Sequence, residues 1–292
     1  MIADYRHLKA ATALPPDPLL RVFERYCARA AAAMDAMEWS WKFSGWEGIG
    51  NRVFWLGSSR RFDVTKRAVH WLASELGLPR DDDDREWLDL LEHDTDRCLV
   101  SYAGPNRFTG RASVIKVYLT LSRCTASMYR RLVRPAAPQL PAQPCAAATT
   151  LLCRTIEASG PCSARVYLLF HDHQARTAAV ARVLRRLLGT HGAAAVAGYP
   201  RIGVGIKADG THMVGIGLRP TGRRALDPSF LVSPVMMPLV NAAVRMPLLA
   251  ERLNDVTWVT LPIDARSLQF PRRVSEMNVY VQLRDRRRHA PA

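Results

Sequence analysis

The stretch SVIKVYLTLS, Ser113 to Ser122, decides how the rest of the chain is read. Successive side chains on a strand point to opposite faces, so Ile115, Val117, Leu119 and Leu121 share one face, and Lys116, Tyr118 and Thr120 the other. The first face is aliphatic, while the second carries an ammonium and a phenol. A solvated outer face accounts for such a strand, because antiparallel sheets often have one wet side. The inside of a closed barrel accounts for it equally.

Working outward, EWSWK alternates in the same way: Met37, Trp39, Trp41 and Phe43 lie on one side, Glu38, Ser40 and Lys42 on the other. A Gly-rich turn follows, then a second run from Arg52 to Leu56, which together make a hairpin. CLVSYAG and SVIKVYLTLS form the next strand pair, ARVYLLFHD a single strand, RIGVGIKADGTHMVGIGL a hairpin turning at 208–210, and DVTWVTLPI with EMNVYVQLR the last pair. Helices fill the gaps. Asp17 before Pro18 caps one that runs to about Met34; Asp63 caps another ending at Gly77; a shorter one spans about Arg85 to Leu91; Asp172 caps one reaching about Leu188. The Pro/Ala stretch RPAAPQLPAQPCAAA, Arg134 to Ala148, marks a surface loop placed at 131–145 and ends in a helix through Glu157, and Pro234 to Leu253 is read as helix broken at Pro238 and Pro247. The order is antiparallel pairs separated by helical connections, an α+β arrangement in which helices cover the aliphatic face.

At 292 residues one large domain or two ordinary ones fit, and a single domain over 1–292 with a basic tail at 285–292 is the reading adopted. Lys and Arg outnumber Asp and Glu by 41 to 26, a net charge of +15, which favours anionic partners such as nucleic acid, anionic membrane or phosphorylated small molecules. No apolar run is long enough to span a bilayer and MIADYRHLKAA lacks the apolar block of a secretory signal, so a cytoplasmic protein with no membrane partner is expected. The six cysteines have no CxxC spacing, which favours free thiols over a zinc site.

Four strand segments repeat one pattern: Arg52-Val53-Phe54, Lys116-Val117-Tyr118, Arg165-Val166-Tyr167 and Asn278-Val279-Tyr280. A polar head and a ring fall on the same face, with Val on the helix-packed face, and Arg201-Ile202-Gly203 repeats the first half. A solvated sheet mixes Lys, Arg and Tyr too. If the faces converge inside a barrel, however, their cations need an anion to pair with, and a diphosphate is such an object. Rings beside it can stabilise a carbocation and shield it from water.

These motifs, EWSWK followed by NRVF, then KVYL, RVYLLF and NVYVQL, resemble the ABBA-type aromatic prenyltransferases, and among them the cyanobactin-type peptide prenyltransferases. The resemblance implies a closed antiparallel barrel of about ten strands with helices outside. It implies transfer of a dimethylallyl or geranyl group from its diphosphate to an electron-rich side chain of a ribosomal peptide or an amino acid. It implies Glu38 as the catalytic base; Arg52, Lys116, Arg165 and Arg201 as diphosphate ligands; and Tyr118, Tyr167 and Tyr280 as the shield. Asn278 stands where relatives carry a cation, and Gln282 shares its face. Gly203, Gly205, Gly215 and Gly217 mark bends or close backbone approach, or else a lumen widened for a longer prenyl chain. Magnesium enters such chemistry through the diphosphate, without protein ligands.

Two metal-like signals are set aside. Asp81 to Asp84 follow Pro79 and read as a solvated turn rather than a spaced DDxxD, and in His171 to His173 the aspartate is better used as a cap. A small-molecule aromatic acceptor on the same fold is one alternative. A basic nucleic-acid-binding module, with an open sheet and Tyr and Trp stacking on bases, is another.

Overall fold

Alternating aliphatic and polar residues become ten strands in a computed structural model that describes residues 2–11, 16–44, 47–57, 61–105, 112–121, 125–137, 140, 143–158, 160–171, 177–197, 199, 201–207, 212–217, 243–263 and 276–283. They are β1 (Met34–Ser44), β2 (Glu47–Gly57), β3 (Thr95–Ala103), β4 (Val114–Leu121), β5 (Thr149–Glu157), β6 (Gly160–Phe170), β7 (Arg201–Lys207), β8 (His212–Gly217), β9 (Val256–Ile263) and β10 (Glu276–Leu283). All pairings are antiparallel between neighbours in sequence, and the sheet curls until β1 pairs with both β2 and β10. The helices include α1 (Ile2–Ala11), α2 (Pro18–Ala30), α3 (Phe62–Glu75), α4 (Asp82–His93) and α5 (Ala178–Val196).

The aliphatic faces of the strands are the core. Trp39, Trp41 and Phe43 of β1 and Ile115, Val117 and Leu119 of β4 are buried together with Leu19, Leu20, Phe23 and Tyr26 of α2 and Val69 and Leu72 of α3. Burying each such side chain contributes about 1.5–3 kcal/mol. Asp17 starts α2, accepting from the Leu19 amide at 2.7 Å, and also accepts from the Tyr102 hydroxyl at 3.0 Å, which fastens the helix to β3.

Several expected elements differ. The residues up to Glu157 form β5, not a helix: Leu151, Cys153 and Thr155 alternate with Leu152, Arg154 and Ile156, and threonines open the strand at Thr149 and Thr150. The segment taken as loop 131–145 is helical at its start, through Tyr129–Val133 with π geometry and Arg134–Ala136, because Val133, Ala136, Ala137 and Leu140 are buried in the core. Arg61, not Asp63, holds the N-cap position of α3, and Thr177 rather than Asp172 caps α5, its hydroxyl accepting from the Val180 amide. Helix α2 gives way to a 3-10 turn at Ala31 and then to β1. The turn at 208–210, most of the helical stretch before Ala243 and the tail 285–292 lie outside the described residues.

Of Asp81 to Asp84, the first three are exposed as a solvated turn would be, but they open a helix and the fourth is buried. Asp81 caps α4, accepting from the Asp84 amide at 2.8 Å, while Asp84 is buried, accepts from the Arg80 amide at 3.0 Å and pairs with Arg154 of β5 at 2.6 Å. These carboxylates tie α4 to the outside of the sheet. Asp84→Ala leaves a guanidinium with little access to water, and is expected to cost about 2 kcal/mol of stability, less than a fully buried pair because Asp81 stands in reach of Arg154. Urea denaturation measures it, and an unchanged midpoint would show the pair to be idle.

Candidate active site

The polar faces of the strands meet inside the curled sheet around a cavity of about 210 Å³. Its wall includes Glu38, Tyr118, Arg165, Tyr167, Arg201 and Tyr280 among the expected site residues, with Thr257, Trp258 and Thr260 of β9 and Leu99, Leu151 and Leu169 added to them. Among the described residues no group of three or more His, Cys, Asp or Glu is placed to hold a metal ion.

Glu38 is half-buried on β1. The Thr257 hydroxyl donates to its Oε1 at 3.1 Å. Loss of water pushes the Glu38 carboxyl above the usual carboxylate range, while the Thr257 hydrogen bond and the nearby Arg201 charge pull part of that shift back. The result is a carboxylate that accepts a proton more readily than an ordinary glutamate.

Arg201, at the head of β7, lies over the Trp258 indole, 5.8 Å from the ring centroid, and its Nε is buried with no hydrogen-bond partner among the described residues. Arg165 stands on β6 two residues before Tyr167, whose ring meets that of Tyr118 at 5.5 Å and 56°. Tyr118, Leu151 and Cys153 form a small apolar cluster of their own inside the sheet, with Leu99, Tyr167 and Leu169 against it.

The cations and rings do not separate into two layers. Through Cys153, Arg165 falls in register with Tyr118, and Arg201 falls in one row with Gly217, Trp258, Tyr280, Ser40 and Arg52, because the strands are staggered against one another. Lys116 is 4 % exposed, between Ser101 and Thr155 in register, and does not reach the cavity wall. Asn278 is buried and its amide donates to the Thr260 hydroxyl at 2.7 Å. Gln282 is half-buried opposite Glu38 in register. The backbone of Arg52 lies opposite Ser40; its side chain is outside the described residues.

Gly203, Gly205 and Gly215 are on the cavity wall, and large rings lie close against all four glycines. A Cβ on Gly203 would stand 2.8 Å from Cζ2 of Trp258, one on Gly215 2.7 Å from its Cε2, one on Gly217 2.9 Å from its Cζ3, and one on Gly205 2.7 Å from Cε1 of Tyr167. They are a shelf on which an indole and a phenol lie against backbone.

Two wall residues, Thr257 and Trp258, are consecutive, which strict alternation forbids. Tyr280 pairs with Trp258 and Val281 with Val256, so β9 carries one extra residue there, and this bulge turns Thr257 inward beside Trp258. A bulge of this kind leaves no composition signal in DVTWVTLPI.

No family model matches the chain, and no curated protein matches it. Among solved structures it is similar to NotF in complex with brevianamide F and DMSPP, with a TM-score of 0.47 at 12% identity over 84% of this chain and 79% of that one. It is also similar to AnaPT from Neosartorya fischeri, with 0.44 at 11% over 84% and 77%, and to the NotF prenyltransferase, with 0.40 at 13% over 84% and 80%. With identities of 11–13% the reading of function rests on the cavity itself.

Proposed function

We propose that the chain is a prenyltransferase of the ABBA type, its curled sheet a closed barrel, which moves an allylic group from a diphosphate to an electron-rich side chain. The observation that carries this reading is the composition of one cavity wall: guanidinium groups, phenol and indole rings, and a carboxylate of raised proton affinity face the same small volume. Arg201, whose Nε is buried with no hydrogen-bond partner among the described residues, is set to receive an anion. The π-faces of phenol and indole rings suit a carbocation that water would destroy.

In this reading Arg165 and Arg201 grip the diphosphate, with Lys116 and Arg52 adding positive charge and Asn278 and Gln282 hydrogen-bonding capacity along the same face. The allylic C–O bond breaks, its electron pair leaving with the diphosphate. Tyr118, Tyr167, Tyr280 and Trp258 shelter the cation. An electron pair of the acceptor forms the new bond to the allylic carbon, and Glu38 takes the proton that the acceptor sheds. Magnesium carried on the diphosphate would supply further charge neutralisation.

Cavity size favours the five-carbon dimethylallyl donor over geranyl, because Trp258 and Tyr167 occupy the glycine shelf. For the acceptor we take a Trp, Tyr, His or Arg side chain of a ribosomal peptide, on the strength of the sequence resemblance. The test is incubation with dimethylallyl and geranyl diphosphates against peptides and free aromatic metabolites, read by mass. A dimethylallyl adduct on a peptide supports the whole reading, and one confined to free metabolites moves the acceptor class. No adduct and no diphosphate release from any pairing contradicts the enzyme and returns the basic chain to nucleic-acid binding, which salt-dependent retention on single-stranded DNA would then display.

A further inference from the structure

The bulge in β9 places a hydroxyl against the candidate base. Thr257 is buried at 6 % exposure, next to a 219-residue gap in sequence from Glu38, and its Oγ1 lies 3.1 Å from Glu38 Oε1 and 3.5 Å from the Tyr280 carbonyl oxygen. The first is a sound hydrogen bond and the second is at the limit of one, so the single hydroxyl proton goes to the carboxylate.

We infer that Thr257 is a positioning residue: held inward by the bulge, its hydroxyl ties down Glu38 Oε1 and so presents Oε2 to the acceptor. This rests on the reading of Glu38 as proton acceptor. The physical reason is the freedom of a glutamate. Its terminal torsion is broad and soft, so a carboxylate held at neither oxygen samples many orientations, and proton transfer needs one within hydrogen-bond reach. Thr257 removes that freedom from one oxygen without introducing a charge that would compete for the proton. Were β9 regular, Thr257 would face the helices and this bond could not form.

The bond also has a definite electrostatic sign. A donor to the charged carboxylate favours that form, so removing it leaves Glu38 holding its proton to higher pH. The other groups facing Glu38 across the cavity among the described residues are Arg201 on β7, Arg165 and Tyr167 on β6, Tyr118 on β4 and Tyr280 on β10, with Gln282 opposite in register. A substitution at Thr257 changes the charge of none of them.

The test pairs Thr257→Val, which keeps the branched shape and loses the hydroxyl, with Thr257→Ser, which keeps the hydroxyl. Thr257→Val is expected to lower kcat about tenfold with the donor KM unchanged, and to move the acid limb of the rate profile up by about half a pH unit. Thr257→Ser should return both to within about twofold. Independently of any activity, the Glu38 carboxyl is followed by carbon NMR titration in the unliganded protein, its resonance identified by its loss in Glu38→Gln. A midpoint raised in the Val variant and restored in the Ser variant supports the assignment even if no prenyl group is transferred. A midpoint and a pH profile that stay put in a folded Val variant overturn it, as does a Ser variant as impaired as the Val.

Discussion

Glu38→Gln is expected to lower prenyl transfer by about 10²–10⁴-fold while leaving donor affinity within a factor of about two, because the amide keeps the shape and the Thr257 contact but cannot take a proton. The separation of the two effects is the informative part. Arg165 and Arg201, not Glu38, are the groups assigned to the diphosphate, and removing a neighbouring negative charge should not weaken their hold on it. The pH dependence follows with a fixed sign. A base acts in its ionised form and the proton affinity of Glu38 is raised by burial, so under the proposed role transfer is expected to fall as the solution is acidified through a midpoint above the ordinary carboxylate range. Single-turnover assays across pH, beside donor binding by calorimetry, measure both. Equal losses in binding and transfer would remove Glu38 from the role of base.

Trp258→Gly is expected to change which donor is used. The indole lies where Cβ atoms on Gly203, Gly215 and Gly217 would have to be, so removing it joins the shelf to the cavity and leaves a trough lined by backbone, Leu169 and Tyr167. One added isoprene unit then has somewhere to lie. The ratio of geranyl to dimethylallyl kcat/KM should rise by about two orders of magnitude, the scale on which apolar pockets discriminate by a few carbons. Arg201 loses the ring beneath it, so dimethylallyl use should fall as well. Competition between the two donors in one reaction, read by mass, gives the ratio directly. A ratio unchanged in a folded variant would mean that the prenyl chain points elsewhere.

Much of this site was legible because strands print their two faces in the sequence. The polar set on β1, β4, β6 and β10 was readable from period-two alternation alone, and Glu38, Tyr118, Arg165, Tyr167 and Tyr280 do meet at one cavity. What alternation cannot show is an extra residue. Thr257 belongs on the helix side by count, and the bulge that turns it inward is fixed by how β9 and β10 pair. The glycines were readable as close approach or as space, and the choice between them needed Trp258, which lies 40 or more positions downstream. The helix expected through Glu157 is β5, because pairing with β4 and β6 on both sides outweighs local preference. Asp84 read as solvent-facing because its partner, Arg154, is 70 residues away.

The central claim is that guanidinium groups inside the sheet hold a diphosphate. Isothermal calorimetry of dimethylallyl diphosphate binding to the wild-type chain and to the Arg165→Ala, Arg201→Ala double variant tests it most directly. The account predicts one saturable site whose affinity drops about 100-fold or more in the double variant, two charge-assisted contacts being lost. Affinity that is the same in both proteins, or binding to the wild type that never saturates, would contradict it.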